Sequence, residues 1–253
     1  MWSTTVSIDK RYAREFAYIT GELSKWKYSS FAVGESHRRY FIDIACEEEF
    51  CAPTTGEIIR IITNVVLVYF KARYFKNKLA GGESGGLGNA MSILIAALIY
   101  FDVGMETNLL SGKIEASKEY AVDGMYQFKM TELIENWDEL CELSSGLLAA
   151  KPDERDIFNL TTFLIDASDG KKNKILVEGA PAGGMPDVFN MSTKQKIFVH
   201  NIFDNEKQNL LCAIIGCYPK EIYVRNSLPF QNLDELKKLV KIKTADSFNK
   251  TLL

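Results

Sequence analysis

Residues 206–226 read Glu206-Lys-Gln-Asn-Leu-Leu-Cys-Ala-Ile-Ile-Gly-Cys-Tyr-Pro219 and then Lys220-Glu-Ile-Tyr-Val-Arg-Asn226. Apolar residues recur at helical spacing between positions 210 and 218 and predict one apolar helix face. Pro219 has no backbone N–H and disfavours helix in the residue before it, so we expect the helix to end near Tyr218. The β-branched and aromatic residues that follow predict a strand. The residues expected in the core are Leu210, Ile214, Ile222 and Val224.

The composition is typical of a soluble globular protein. The chain has 253 residues, of which 47% are hydrophobic and 25% charged, with a formal net charge of -3. This length is enough for one large domain or two small ones with a sizeable core. A nucleic-acid-binding protein is usually strongly basic, so the net charge argues against nucleic-acid binding as the main function and leaves room for a local basic patch.

The sequence predicts a cytoplasmic protein without a membrane span. Residues 1–9 lack a basic region followed by an apolar run, which a signal peptide would require. The longest apolar run, Ile93 to Val103, is shorter than the ~20 residues that span a bilayer. The five cysteines are an odd number in a chain without an export signal, which indicates reduced thiols.

The position of the cysteines favours structural thiols over a zinc site. Cys46 and Cys51 are separated by four residues, as are Cys212 and Cys217, and zinc knuckles use two to four such residues beside turn glycines. However, Cys212 and Cys217 lie on the apolar helix, where a cysteine behaves as a small hydrophobic residue.

The first quarter of the chain predicts a helix, a β-hairpin and a second helix. A helix is expected from Asp9 to Lys27, followed by strands at Ser29–Glu35 and Arg38–Ala45 with a turn at Gly34–His37. The second helix is expected to be capped by a threonine at position 54 or 55 and to continue to about Lys78.

The end of that second helix carries the main candidate binding residues. Cations there suit the negative end of the helix dipole and a solvated face. They also suit contact with an anionic group or partner, and the aromatic residues Tyr69, Tyr74 and Phe75 between them are typical of segments that track a nucleic-acid backbone. The candidate contact residues are Lys71, Arg73, Tyr74, Lys76 and Lys78.

The glycine-rich stretch Gly81–Gly88 does not match a phosphate-binding loop. A P-loop requires Gly-Lys-Ser/Thr after four spacer residues, and here Gly86 is followed by Leu87 and Gly88. A dinucleotide loop would follow a buried strand, whereas a basic helix precedes this stretch. We interpret it as a connector, with Asn89 capping the next helix.

The remaining pattern is mainly helical. The seven residues of one seam in the long helix 115–148 alternate spacings of four and three: Tyr126, Met130, Leu133, Trp137, Leu140, Ser144 and Leu147. Before it we expect a helix at 91–103 that is apolar all round and a loop at 104–112. After it we expect a helix from 151, strands at 174–178 and 196–202, and a helix at 232–242.

Few residues offer catalytic chemistry. The two histidines are far apart in the sequence: His37 falls in the predicted turn and His200 in an apolar segment, where we expect it to satisfy a backbone hydrogen bond. An enzyme with a carboxylate-based site assembled by the fold, for instance from Asp43 and Asp123, remains a third hypothesis.

The C-terminal half resembles the YtxC-like family of sporulation proteins of spore-forming bacteria. The matching segments are 124–128, a glycine and aromatic helix start; 158–165, a second helix; 174–177, a strand; and 210–224, the apolar helix that ends in Pro-Lys before a strand. The family has no established catalytic residues to transfer, so the resemblance implies a cellular setting in sporulation and no reaction.

Together these patterns predict an α+β fold, mostly helical, with one small mixed sheet built from N- and C-terminal strands. The expected parts are an N-terminal helix and hairpin at 1–55, a helical region at 56–168 and an α/β portion at 169–253, which together form either one domain or several. We expect a non-catalytic cytoplasmic protein that works through protein–protein contacts, in sporulation as the resemblance implies. It would use no cofactor or metal, and its partner would be another protein or a second copy of itself. The alternative is a nucleic-acid-associated factor that uses segment 69–78.

Overall fold

The structure is a computed structural model that describes residues 1–79, 88–147, 152–168, 173–179, 185–225 and 233–244. The chain forms two compact units, each made of separated segments. The first unit comprises residues 1–73 and 103–139, and the second comprises residues 74–102 and 140–253. Two of the three boundaries, those after Arg73 and after Glu139, fall inside helices. This division by contacts differs from the three-part division predicted from the sequence, which stays a prediction.

The first unit combines a sheet with helices. Its strands are β1 (Trp2–Asp9), β2 (Ser30–Glu35), β3 (Arg39–Cys46) and β4 (Glu119–Ala121). Its helices are α1 (Ala13–Leu23), α2 (Cys51–Asn64), α5 (Val103–Lys113) and α6 (Val122–Lys129), together with the first parts of α3 (Lys71–Leu79) and α7 (Thr131–Leu147).

The first sheet has the strand order β2-β3-β1-β4. β1 pairs antiparallel with β3 and parallel with β4, and β2 pairs antiparallel with β3. Alternate residues of a strand point to the same face, and in the two central strands that face is the core. Val6, Ile8, Ile42 and Ile44 are each only 1% exposed.

A π-helical segment, Val65–Phe70, joins α2 to α3 without a break. All six of its residues are buried, so this part of the helical run is enclosed on every side. The run continues directly into Lys71, which is also fully buried. A π-helical turn is rare and is frequently found at functional sites.

The second unit has its own sheet and its own central helix. Its helices are α4 (Asn89–Tyr100), α8 (Glu154–Ala167) and α9 (Glu206–Ile215), and its strands are β5 (Asn173–Glu178), β6 (Asp187–Asn190), β7 (Pro219–Arg225) and β8 (Lys241–Thr244). The strand order is β6-β5-β7-β8. α4 is buried at nearly every position and packs against α8 and α9, as its all-round apolar sequence predicts.

Residues 206–225 adopt the predicted helix and strand. α9 ends at Ile215, three residues earlier than expected, and β7 begins at Pro219 itself. Leu210, Ile214, Ile222 and Val224 are between 0% and 3% exposed, so their predicted core positions are confirmed. Within the described residues, β7 lies between β5 and β8 and is parallel to both.

Close packing ends α9 early. A Cβ atom on Gly216 would lie 2.5 Å from the Tyr100 ring, so only glycine fits at this position. Tyr218 then takes a positive φ of 49° and donates its hydroxyl proton to the Tyr100 carbonyl. The sharp turn from helix to strand therefore depends on contact with α4 as well as on Pro219.

The α+β class is confirmed, and the single shared sheet is wrong. The N-terminal and C-terminal strands form two separate mixed sheets of four strands each. Each sheet contains two strands that the sequence did not predict, namely β1 and β4 in the first sheet and β6 and β8 in the second. The predicted hairpin was right to within a residue at each end.

Several predicted elements were wrong in kind. Residues 103–113 form helix α5 instead of a loop, and the predicted strand at 196–202 is reduced to a single bridge between Phe189 and Lys196. The predicted helix at 232–242 is a short 3₁₀ turn followed by β8. The long helix predicted at 115–148 is divided into β4, α6 and α7.

Helix caps also differ from expectation. Thr54 is buried inside α2, where its hydroxyl accepts a hydrogen bond from the Trp26 indole at 3.2 Å, so it does not cap a helix. Gly88 is the N-terminal cap of α4 and Asn89 is its first helical residue. The rest of the predicted glycine-rich connector, 81–87, lies outside the described residues.

One helical run, Glu48–Leu79, is long and apolar enough by length and composition to cross a membrane. Its best 18-residue window has a mean hydropathy of 1.3, and half of that window is buried inside the structure. Helices α4 and α5 meet the same criterion only when they are counted as one span. Buried core helices meet it as well, and the absence of a span remains a prediction.

Candidate functional site

The predicted contact residues divide between the two units. In the first unit, the Lys71 ammonium lies 2.7 Å from both carboxylate oxygens of Glu106, on α5, and the two side chains are 0% and 3% exposed. The Trp137 indole N–H donates to the same carboxylate at 2.7 Å. Lys71 is therefore part of a buried ion pair, and the surface contact predicted for it is wrong.

Arg73 belongs to a neighbouring cluster in the same unit. Its guanidinium donates to Glu15 at 2.8 Å and lies 5.0 Å from the centre of the Tyr12 ring. Glu15 is 2% exposed, so the buried carboxylate has a partly exposed cation as its partner. Nearby, burial raises the pKa of Tyr126 to about 12.

The other three predicted residues lie in the second unit. Lys76 donates to the Ile202 carbonyl at 2.5 Å and stands 4.2 Å from the centre of the Phe203 ring. Lys78 lies over the ring of Tyr74 at 5.6 Å. These cations are engaged within the chain, and binding of an anion or nucleic acid by segment 69–78 remains a prediction.

The two carboxylates of the enzyme hypothesis have different partners. Asp43, on β3, accepts a hydrogen bond from the Thr5 hydroxyl at 2.7 Å. Asp123, in the first turn of α6, receives both Arg39 terminal nitrogens at 2.7 and 3.1 Å. The fold thus gives Asp123 a bidentate arginine, which suits a structural tie between β3 and α6.

The remaining candidate side chains are the histidines and the cysteines. His37 is exposed in the turn between β2 and β3, as predicted, and His200 packs edge-on against Phe198 at 4.9 Å. Burial raises the pKa of the Cys212 and Cys217 thiols to about 12, which suits unreactive thiols. Over the ranges that the structure covers, no three His, Cys, Asp or Glu side chains are grouped so as to hold a metal ion.

Among the described residues of the second unit, the large apolar side chains with the highest exposure lie on α7 and α8. Leu143 and Leu147 are one turn apart on α7 and both are 65% exposed, and Phe163 on α8 is 59% exposed. We call these three residues and the groove beside them the α7–α8 patch. The groove has a volume of about 340 Å³ and is lined by Leu147, Asp156, Asn159, Leu160 and Phe163.

Local sequence explains why α8 presents this surface. Asp153 and Asp156 form a capping box, in which the side chain of each accepts a hydrogen bond from the backbone N–H of the other. This fixes the start of the helix. Buried Ile157, Leu160 and Leu164 attach the helix to the core. Positions 156, 159, 160 and 163 then form one stripe along the groove, with the i, i+3, i+4, i+7 spacing of neighbours on a helix.

Sequence reasoning missed this patch. Leu147 was assigned to the buried seam of the long helix because its spacing continues that of Trp137 and Ser144. The seam is buried at Trp137 and Ser144, at 1% exposure each, and ends before Leu147. Phe163 gave the one available signal, since it lies off the buried face of α8 in a helix that is otherwise amphipathic.

Comparison of the chain with profiles of known protein families, with curated proteins and with solved structures finds no match.

Proposed function

We propose that this protein works through protein–protein contacts, and that the α7–α8 patch receives a partner. The observation that supports the proposal is that exposed Leu147 and Phe163 line one groove, with exposed Leu143 one turn before Leu147 on α7. Scattered exposed apolar residues are ordinary, whereas a grouped set beside a concavity marks an interaction site. Burying a side chain of this size stabilises a complex by ~1.5–3 kcal/mol.

The partner that fits best is an amphipathic helix with basic flanking residues. Leu160 and Phe163 on α8 and Leu147 on α7 give the groove apolar contacts, and an amphipathic helix lays its apolar face into a groove of this kind. Asp156 lines the groove and Glu142 is exposed one residue before Leu143. Lysine or arginine side chains beside the apolar face of the partner would complement these carboxylates.

The resemblance of the C-terminal half to sporulation proteins supports the cytoplasm of a sporulating bacterium as the setting. The test is therefore a quantitative affinity purification of the tagged full chain from sporulating cells of its source organism. Wild type is compared with Phe163→Glu and Leu147→Glu, and Ser145→Glu is the control. Ser145 is exposed on the same helix but about 200° around it from Leu143.

We expect one or a few proteins to be recovered with wild type and with Ser145→Glu. Their recovery should fall about tenfold or more with either patch variant, because a charge in a desolvated apolar contact costs more than truncation alone. Circular dichroism of the purified variants checks that they are folded. Equal recovery by all four proteins, or recovery of nothing above an untagged control, would overturn the proposal.

A further inference from the structure

β2, one of the two outer strands of the first sheet, has an open side. β2 pairs only with β3 among the described residues, and the two strands are in continuous register from Ser30 opposite Ala45 to Glu35 opposite Tyr40. No register shift interrupts them. The backbone groups of β2 that point away from β3 are therefore available to a further strand.

Native proteins protect such edges, and β2 lacks the usual protection. Edge strands commonly carry lysine, proline or a bulge that prevents pairing with another chain. β2 reads Ser-Phe-Ala-Val-Gly-Glu, and its single charged residue, Glu35, is at the end and forms an ion pair with Lys10 at 2.9 Å. An uncharged edge of this kind indicates that the strand has a partner.

The apolar face of β2 is also incompletely covered. Phe31 and Val33 stand opposite Ile44 and Ile42, so the four side chains lie on the same face of the sheet. The two isoleucines are 1% exposed, whereas Val33 is 53% exposed. The apolar face of the sheet thus continues to the edge strand, where it is partly exposed. A further strand would place neighbouring side chains beside Val33 on that face.

The direction of the backbone groups follows from the hairpin. Ser36 donates its N–H to the Arg39 carbonyl at 2.8 Å, so these two residues form a hydrogen-bonded pair. Such pairs alternate along an antiparallel ladder. The backbone N–H and C=O groups of Gly34 and Ala32 therefore face β3, and those of Phe31 and Val33 point away from it.

We propose that the occupant of this edge is a second copy of the chain, bound by antiparallel β2–β2 pairing about a two-fold axis at Ala32. A two-fold axis requires a pattern that is symmetric about its centre. Residues 30–34 have that pattern: small Ser30, apolar Phe31, small Ala32, apolar Val33 and small Gly34.

In this register the backbone hydrogen bonds and the cross-strand side-chain pairs are both favourable. Phe31 stands opposite Val33 of the second copy, and both have outward-pointing backbone groups, so each such pair exchanges two hydrogen bonds. An aromatic residue opposite a β-branched one is a favourable cross-strand pair. Glu35 falls opposite Ser29, so no like charges meet. Moving the axis to Val33 would place Phe31 opposite Glu35 and lose this match.

The experiment is sedimentation velocity of the purified full chain over a wide range of concentration. We expect the mass of one chain at low concentration and of two at high concentration. Val33→Lys should raise the dissociation constant of the dimer about tenfold or more, because an edge lysine blocks strand pairing. Met105→Lys, at an exposed apolar residue of α5, should leave it unchanged.

A cysteine pair tests the register. Ala32→Cys places two thiols in a non-hydrogen-bonded pair, where Cα atoms are about 4.5 Å apart and a disulfide can form. In Gly34→Cys the two thiols are four residues apart along the strands, about 14 Å, which is too far. Mild oxidation should link Ala32→Cys into a dimer well above the wild-type background and leave Gly34→Cys at that background.

A mass of one chain at every concentration would overturn the proposal, as would equal linking of the two cysteine variants. A chain that stays monomeric alone but binds an added strand-forming peptide would also overturn it in favour of a foreign strand. Because these measurements use the purified chain alone, their failure leaves the proposed partner at the α7–α8 patch to its own test.

Discussion

The buried contact between Lys71 and Glu106 makes the stability of the fold depend on single side chains. Both charges are removed from water, and Trp137 supplies a further hydrogen bond to the carboxylate. Replacing such a pair with neutral groups is often tolerated, but removing one partner leaves an unpaired buried charge, at a cost of about 3–5 kcal/mol.

We therefore expect Lys71→Met to lower the free energy of unfolding by about 3–5 kcal/mol, because Glu106 would remain buried without its cation. The double variant Lys71→Met with Glu106→Gln should recover most of this loss, since Gln still accepts from Trp137. Urea unfolding of the single and double variants measures the coupling as a double-mutant cycle.

Lys113→Met is the matched control. Lys113 pairs with Glu132 at 2.6 Å, but the two side chains are 31% and 58% exposed. An exposed pair of this kind contributes about 0–1 kcal/mol. If Lys71→Met costs no more than Lys113→Met, the buried pair has no special role in stability.

The sequence could not show that Lys71 is buried. Local spacing placed it among the cations at the end of a helix, where exposure is the usual outcome. Its burial depends on Glu106, 35 positions away in a segment that was predicted to be a loop. Long-range pairing of this kind leaves no trace in local periodicity, whereas the core positions Leu210 and Ile222 were predictable because their neighbours share the pattern.

At the level of elements, the pairing of β7 with β8 carries a pH-dependent contact. The Lys243 ammonium, on β8, and the Tyr223 hydroxyl lower the pKa of Glu221, on β7, from 4.5 to about 2. A carboxyl whose pKa is lower in the folded state stabilises the fold above its unfolded pKa. That contribution is lost as the pH falls through the folded pKa.

We expect Glu221→Gln to lower the melting temperature at pH 7 and to have progressively less effect as the pH falls from about 4.5 to about 2. Thermal unfolding of wild type and variant across this range checks the prediction. Asp187, on β6, is an exposed partner of Lys196. Asp187→Asn is therefore a control for the loss of one negative charge. A difference in melting temperature between wild type and Glu221→Gln that stays constant down to pH 2 would contradict this prediction.

Elements were predictable where one local pattern dominated. The hairpin of β2 and β3 was found because two β-rich runs are separated by a short polar turn. The helix predicted at 232–242 rested on the helical spacing of Leu233, Leu236 and Val240. All three are indeed buried, but the last two residues of that range begin β8, which pairs with β7. The predicted helix therefore identified the correct buried residues and the wrong backbone, since tertiary pairing overrides spacing.

At the scale of the whole molecule, net charge bears on the nucleic-acid alternative. The chain carries 33 acidic and 30 basic residues, so its average field repels a polyanion. We expect a fluorescent single-stranded oligonucleotide to show no salt-dependent binding even at low ionic strength. Fluorescence anisotropy checks this, with a basic single-strand-binding protein as the positive control.

The opposite result would be informative. A binding constant whose logarithm falls linearly with the logarithm of the salt concentration would show that cations of the chain contact phosphates. Loss of that binding in Lys78→Glu, with no loss in Lys220→Glu, would place the contact on segment 69–78 and establish the alternative.

The π-helical segment before Lys71 has a consequence for how this chain is aligned with others. A π-helical turn closes an i→i+5 hydrogen bond and so holds one more residue than the α-helical turn it replaces. A relative without it would need a gap of one residue in the middle of a helix, where alignments rarely allow one. Each residue of an α-helix turns the chain by about 100°, so an ungapped alignment would match Lys71 with a residue on a different side of the helix.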